Sequence, residues 1–355
     1  MRIIVIGAGA IGGFVGGKLA ACGHDVTFVG RPPLAEALRD KPLTIIEPRS
    51  TTMARVAAVT SVAEAFDNPR QAELVLFCVK TFDTQTAVDE LRPFAGQFRF
   101  ILSLQNGISS EEILSEAFGT GKIIAGTITH PVVVPQPGVV RSEKRRGGLG
   151  IAPVAGQDAA AWASLMRQAG LTARTFTDYR AMKWSKLLLN LIGNATSAIL
   201  NMNTMHVFAD PRLVWLEVMQ LREALAVMDR LKIRAVSLPG YPVPLLVLAL
   251  RLLPVPLMGL VMRPLVVRGR AEKLPSLLIE LNRKRGKSEV DEINGAVARV
   301  GQSIGVATPV NTTLAATVNL LTQLPAQRKI WEENIERLVL VVRAARKELP
   351  TPPRK

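Results

Sequence analysis

The segment RIIVIGAGAIGGFVGGKLAA, residues 2–21, decides how the first half of the chain is read. The apolar run Ile3–Ile6 leads into Gly7-Ala8-Gly9-Ala10-Ile11-Gly12, and a helical pattern follows from Phe14 to Ala21. Strand, glycine turn and helix in that order predict a dinucleotide-binding turn. Gly7 permits the tight turn, Gly9 lets a pyrophosphate approach the backbone, and Gly12 lets the helix lie close on the strand. The N-terminus of the helix then faces the phosphates. An ordinary flexible turn would account for the glycines but not for the elements on either side.

Outward from this segment, short apolar runs at 26–29, 74–79, 101–104 and 123–127 alternate with helical stretches. That alternation predicts an α/β N-terminal Rossmann domain with a mainly parallel sheet. Further runs at 132–134, 138–141 and 148–151, split by Pro135, Pro137 and Gly147, are expected to extend one edge of that sheet. After a last strand at 173–176 the pattern becomes helical, at 183–200, 211–231, 288–304 and 327–347. The expected organisation is a Rossmann domain over 1–177, an all-α C-terminal domain over 178–349 and a basic tail at 350–355. No internal repeat is evident.

Cofactor choice is usually written after the second strand, where NAD-binding chains place an acid on the ribose. Here Gly30 and Arg31 follow that strand, and a guanidinium there favours bidentate capture of a 2′-phosphate, hence NADP(H). A surface arginine is the plainer reading. Lys80 in FCVKT and Asn106 in LQNG lie at carboxyl ends of expected parallel strands, where open α/β sheets collect ligands.

In the helical half, Lys186, Asn190 and Asn194 recur every four residues and project from one face of a single expected helix. Polar groups on so apolar a helix need buried partners or a ligand. A positioned lysine can give a proton to the oxygen of a ketone under reduction, and asparagines can fix a substrate without adding charge. A purely structural row would show the same spacing. Glu289, near the start of a late helix, could pair with a lysine or simply be an exposed first-turn acid.

The net charge of +15 suits phosphorylated cofactors, acidic metabolites, nucleic acid or an anionic membrane. With aromatics at 5% and neither an RNA-binding aromatic motif nor zinc-finger spacing, no nucleic-acid role is expected. Cys22 and Cys78 sit in apolar stretches and are read as buried, reduced thiols of a cytoplasmic protein. The N-terminus opens on a strand pattern rather than a cleavable leader. His24, His130 and His206 are scattered, so no metal site is expected.

Residues 236–267 are strongly apolar but broken by Arg251, Arg263 and six prolines, which argues against a membrane span. A buried helical pair or homodimer contact is the leading reading, with a membrane-surface or lipophilic-ligand element behind it.

The ordered set 7-GAGAIG-12, Arg31, Val79-Lys80-Thr81, Gln105-Asn106-Gly107, Lys186-Leu-Leu-Leu-Asn190 with Asn194, and 289-EVDEING-295 closely resembles the ketopantoate reductase family over most of the chain. The resemblance implies NADPH-dependent reduction of 2-dehydropantoate to pantoate in pantothenate synthesis, at a site between a Rossmann and a helical domain. It implies that Lys186 is the general acid, that Glu289 holds it and contacts substrate, that Lys80 and Asn106 lie near the nicotinamide, and that Asn190 and Asn194 bind substrate. The family usually carries Ser-Ser-Met ahead of the glutamate, with the second serine on the substrate. Here Pro275-Ser276-Leu277-Leu278 stands there, so Ser276 would have to serve by a shift of one position. This departure, together with an apolar 236–267 segment lining an enlarged pocket, would allow a bulkier keto acid. The rival reading is a non-catalytic NADP-binding sensor or scaffold, which has no need of the proton donor.

Overall fold

The computed structural model describes residues 1–143, 147–270, 274–284 and 286–347, so the expected tail at 350–355 lies outside the described residues. By spatial contacts the chain divides into Met1–Lys186 with Ser237–Tyr241, and Leu187–Val236 with Pro242–Lys355. The division falls inside a helix rather than at the expected 177/178 boundary.

The first unit carries strands β1 (Arg2–Ile6), β2 (Asp25–Val29), β3 (Leu43–Glu47), β4 (Ser50–Ala54), β5 (Ala57–Val59) and β6 (Ala72–Phe77). They are followed by β7 (Phe98–Ser103), β8 (Ile123–Ile128), β9 (Val132–Gln136), β10 (Val139–Ser142), β11 (Leu149–Pro153) and β12 (Ala173–Thr175). Its helices are α1 (Ala10–Ala21), α2 (Pro32–Arg39), α3 (Val62–Phe66), α4 (Thr84–Leu91), α5 (Ser110–Phe118) and α6 (Ala159–Gln168), and α7 (Tyr179–Leu191) crosses the division.

Eight strands form one sheet in the order β12-β11-β8-β7-β6-β1-β2-β5. β5, β2, β1, β6, β7 and β8 run parallel, and β11 joins β8 antiparallel. Every residue of β1 is buried because both faces of a parallel sheet are covered. Ile3 and Val5 pack on one side with Phe14, Val15 and Leu19 of α1, and Ile4 and Ile6 pack on the other with Val75, Val88 and Leu114. This two-sided core stabilises the strand end from which the glycine turn departs.

β9 and β10 correct an expectation: they do not extend the large sheet. With β3 and β4 they form a second sheet, ordered β4-β3-β10-β9, in which β3 and β10 are parallel. The edge beside β8 is taken by β11, so the apolar faces of Val132 and Val140 are buried instead with Leu43, Ile45 and Phe14 of α1. Cys22 departs from expectation too. It is exposed at the C-terminal end of α1, with its thiol directed at the Gln168 carbonyl.

The second unit is helical: α8 (Asn194–Leu200), α9 (Thr204–Ala209), α10 (Pro211–Arg230), α11 (Val243–Leu252), α12 (Val255–Arg270), α13 (Ser276–Asn282), α14 (Asn294–Ser303), α15 (Pro309–Gln323), α16 (Arg328–Trp331) and α17 (Ile335–Lys347). α10 begins with Asp210 accepting from the Arg212 N–H and Pro211 in the first turn, the usual start signals of a helix. No described helix is long and apolar enough to cross a membrane.

The expected single helix over 183–200 is two helices. α7 stops at Leu191, Gly193 takes φ 63°, and α8 starts at Asn194. The break is held from a distance: the buried Glu217 of α10 accepts from the Gly193 N–H at 2.7 Å and from Thr196 Oγ1 at 2.6 Å. A residue with a Cβ at Gly193 would be strained at that φ and would meet Thr204 Cγ2 at 2.5 Å.

Candidate active site

The glycine turn is built by backbone geometry. Gly7 has φ 89°, and its N–H and that of Ala8 both reach the Val29 carbonyl at the end of β2. A Cβ on Gly7 would lie 2.6 Å from the Val79 nitrogen, so the turn can sit against the end of β6 only as glycine. A Cβ on Gly12 would meet the Gly7 carbonyl at 2.5 Å, which sets how closely α1 approaches β1. Gly9 is exposed, and a Cβ there would meet nothing within 4 Å. Open space over a backbone turn, beside the first-turn amides of α1 that have no carbonyl partner within a helix, fits a pyrophosphate. Beneath the turn, burial pushes the Cys78 thiol up to about 12, so it adds no negative charge there.

Arg31 is exposed and stands immediately before α2, where Pro32 and Pro33 fix the first turn. Gly30 ties this corner to β5 through the Val59 carbonyl. No acid lies between Asp25 and Glu36, so a 2′-phosphate at Arg31 would meet no carboxylate from its own loop.

Lys80 follows β6, exposed at the start of the short 3-10 turn Thr81–Asp83, and Asn106 follows β7, half-buried. The buried Gln105 joins their loops, donating to the Val79 carbonyl at 2.9 Å and to Thr84 Oγ1 at 2.8 Å. Lys183 of α7 donates to the Gln105 carbonyl at 2.8 Å and to Glu111 Oε1 of α5 at 2.9 Å, with side-chain exposures of 2% and 0% for the two ions. The loops carrying Lys80 and Asn106 are therefore locked to the helix turn that precedes Lys186. Sequence reasoning missed Glu111 and Lys183, and gave Gln105 no role of its own. Glu111 reads as a first-turn acid of α5, and Lys183 reads as one more polar residue on α7.

Lys186 and Asn190 lie one turn apart on α7, half-buried and buried respectively. Asn194 is not on that helix, because the break at Gly193 makes it the first residue of α8. Its amide faces the start of α13: Nδ2 donates to Ser276 Oγ at 3.2 Å, and Oδ1 accepts the Leu277 N–H at 3.1 Å. Leu277 itself is fully buried, so its side chain belongs to the core, whereas the Ser276 hydroxyl stands beside the asparagine.

One turn further along α13, Glu280 accepts the Glu289 N–H at 2.9 Å. Glu289 is only 2% exposed and starts a 3-10 turn rather than a long helix, which removes the reading as an exposed first-turn acid. Asn194 with Ser276, and Glu280 with the Glu289 N–H, thus form two polar pairs one helical turn apart along α13. The 236–267 segment does not extend them. Its helices α11 and α12 pack on α9 and α10, whereas α13 packs on α8. Among the described residues, no group of three or more His, Cys, Asp or Glu could hold a metal ion.

Comparison with known proteins bears on this arrangement. Residues 3–156 match the family described as ketopantoate reductase PanE/ApbA, and residues 178–322 match its C-terminal family. The 2-dehydropantoate 2-reductase of Pyrococcus horikoshii is 28% identical over 320 residues, covering 90% of this chain and 96% of that one. That of Archaeoglobus fulgidus is also 28% identical over 320 residues, covering 88% and 95%. The crystal structure of a PanE/ApbA family ketopantoate reductase from Ralstonia eutropha superposes with a TM-score of 0.77 at 27% identity, covering 93% of this chain and all of that one. D-mandelate dehydrogenase bound to NADH and anilino(oxo)acetate shares the fold, with a TM-score of 0.75 at 20% identity over 93% of this chain and 99% of that one. The chain belongs to the ketopantoate reductase family, oxidoreductases that act on CH–OH groups and take NADP(H) as cofactor.

Proposed function

We propose that the chain reduces 2-dehydropantoate to pantoate with NADPH, as a step of pantothenate biosynthesis in the cytoplasm. The observation that carries this reading is the pairing of Asn194 with Ser276. It places a serine hydroxyl beside the asparagine even though leucine stands at the position where the family usually has its second serine. Leu277 lies in the core, and Leu245, Leu248, Leu252, Leu257 and Leu260 of α11 and α12 turn to solvent, which supports 2-dehydropantoate over a bulkier keto acid.

When bound, the nicotinamide supplies the hydride. The residues of this chain do the rest. The 7–12 turn holds the pyrophosphate on backbone amides, Arg31 takes the 2′-phosphate, and Lys80 and Asn106 border the nicotinamide. Lys186 holds the proton for the carbonyl oxygen and stabilises the charge that develops there. Asn190, Asn194 and Ser276 orient the hydroxyl and carboxylate ends of the substrate, and Glu289 offers it a buried carboxylate. The free thiols Cys22 and Cys78 suit a reducing compartment.

Steady-state NADPH oxidation with 2-dehydropantoate and a series of 2-keto acids of increasing bulk tests the reading. The expected result is the highest kcat/KM for 2-dehydropantoate. A tenfold preference for a larger keto acid overturns the substrate assignment and leaves the reductase assignment standing.

A further inference from the structure

Five leucines on consecutive helices of the second unit are exposed: Leu245, Leu248 and Leu252 on α11 at 65%, 52% and 71%, and Leu257 and Leu260 on α12 at 45% and 67%. The first three are spaced 3 and 4 apart and share one face of α11. The other two are spaced 3 apart at the start of α12, which only Leu253 and Pro254 separate from α11. Between Pro242 and Pro264 every other exposed residue is proline or arginine. Such a surface is apolar beyond what scattered surface leucines produce, and it calls for a partner.

The charge around this face identifies the partner. From Arg230 to Arg263 the sequence carries five basic residues, Arg230, Lys232, Arg234, Arg251 and Arg263, and no acidic one. Of the acids at the two ends of α10, the half-buried Asp210 pairs with Arg212 and the exposed Asp229 with Arg251. A second copy would bring this basic segment against itself, since a twofold contact uses the same patch on both subunits. An anionic bilayer surface offers both a low-polarity layer for leucines and phosphates for the basic residues.

We propose that the exposed face of α11 and α12 docks the protein on an anionic lipid surface. The helices are 10 and 16 residues long, and α12 contains Pro264, so they lie in the interface plane rather than cross it. Docking is reversible and weakens with salt, because part of it is long-range charge attraction.

The test is co-sedimentation of the full-length protein, loaded with NADPH, with vesicles of phosphatidylcholine alone or mixed with phosphatidylglycerol. Binding to the anionic vesicles is expected to be at least tenfold stronger and to fall as salt is raised. The double substitution Leu248→Glu/Leu260→Glu is expected to lower it at least tenfold with melting temperature and NADPH affinity unchanged. Lys232→Gln/Arg234→Gln should weaken it less and flatten its salt dependence. Absence of vesicle binding, or binding that the leucine substitutions leave intact, overturns the proposal. So does a dimer in sedimentation velocity that Leu248→Glu/Leu260→Glu dissociates while vesicles bind neither form, because the face then belongs to a second copy.

Discussion

The glycine turn of the first unit and the Asn194 cluster of the second are built in opposite ways. The turn is backbone, contiguous from Gly7 to Gly12, and its shape follows from φ values and from the space left by missing side chains. The cluster rests on the side chains of Asn194, Ser276 and Glu280, brought to α13 by helix packing and bonded to one another or to the Leu277 and Glu289 N–H groups. A backbone site depends on its immediate neighbours, so it tolerates change elsewhere. A side-chain site depends on every helix that brings a member to it.

Lys186 offers the sharpest separation, since it lies on the helix that leaves the first unit and enters the second. Lys186→Ala is expected to lower kcat by about 10²- to 10⁴-fold, the usual contribution of a general acid. Neither the NADPH dissociation constant nor that of the keto acid should move by more than a few-fold, as measured by fluorescence titration. A comparable loss of NADPH affinity would place the lysine in the cradle instead.

The second break falls inside the first unit, beneath the loops rather than in the turn. Lys183→Met leaves Glu111 as an uncompensated buried carboxylate, at an expected cost of about 3–5 kcal/mol in stability. Adding Glu111→Leu should return most of that, because a packed apolar pair replaces a buried ion pair at little cost. Chemical denaturation of the single and double variants decides it. A single variant as stable as the parent would mean that the pair does not hold the loops.

The comparison also explains what could be read in advance. β1, β2, β6, β7 and β8 were legible because each carries a short apolar run that a sheet covered on both faces buries, throughout in β1 and β8 and interrupted by Thr27 in β2, Glu73 in β6 and Arg99 in β7. β3, β4 and β5 were not, since LTIIE, STTMA and AAV are half-exposed and owe their strand form to partners. The pairing of β10 with β3 depends on residues far apart in sequence, so β9 and β10 could be recognised as strands and still be assigned to the wrong sheet. Where the chain passes from the first unit to the second, Lys186, Asn190 and Asn194 stood out by spacing. The break at Gly193 did not, because its cause is a carboxylate 24 residues away. Lys183 and Glu111 are 72 residues apart, and nothing local marks either as an ion that will be buried.

Two smaller predictions probe the regions separately. Asn194→Ala leaves the buried Leu277 N–H without its acceptor and removes the partner of Ser276, for about 1–3 kcal/mol. It should raise KM for the keto acid and leave that for NADPH alone. Arg31→Ala should do the reverse, weakening NADPH by about tenfold, as expected for one exposed charge-assisted contact, with little effect on NADH or keto acid. If Arg31→Ala weakens NADH equally, the guanidinium is not reading the 2′-phosphate.

The smallest expected effect concerns pH, where the two units carry shifts of opposite consequence. His130 stacks on Phe14 of α1, with ring centroids 5.3 Å apart, and its Nε2 shares a hydrogen bond with Ser142 Oγ of β10. Burial lowers its pKa from 6.5; nearby Lys18 lowers it too, and Glu47 opposes. A lowered pKa in the folded state means stability that is intact above 6.5 and lost as pH falls toward and through the folded value. His24, lowered first by desolvation, adds the same sign near the end of α1. In the second unit desolvation raises Glu223 despite the Val310 and Asn311 N–H groups it accepts. Its cost is absent below its ordinary 4.5 and grows as pH rises through that value, so acid relieves it. Hydrogen exchange at pH 7.5 and 5.5, corrected for intrinsic rates, should therefore show α1 and β10 losing protection in acid while α10 and α15 do not. His130→Phe keeps the stack and cannot be protonated, so it should cancel most of the loss at β10. An unchanged loss in that variant would assign the acid sensitivity to another group.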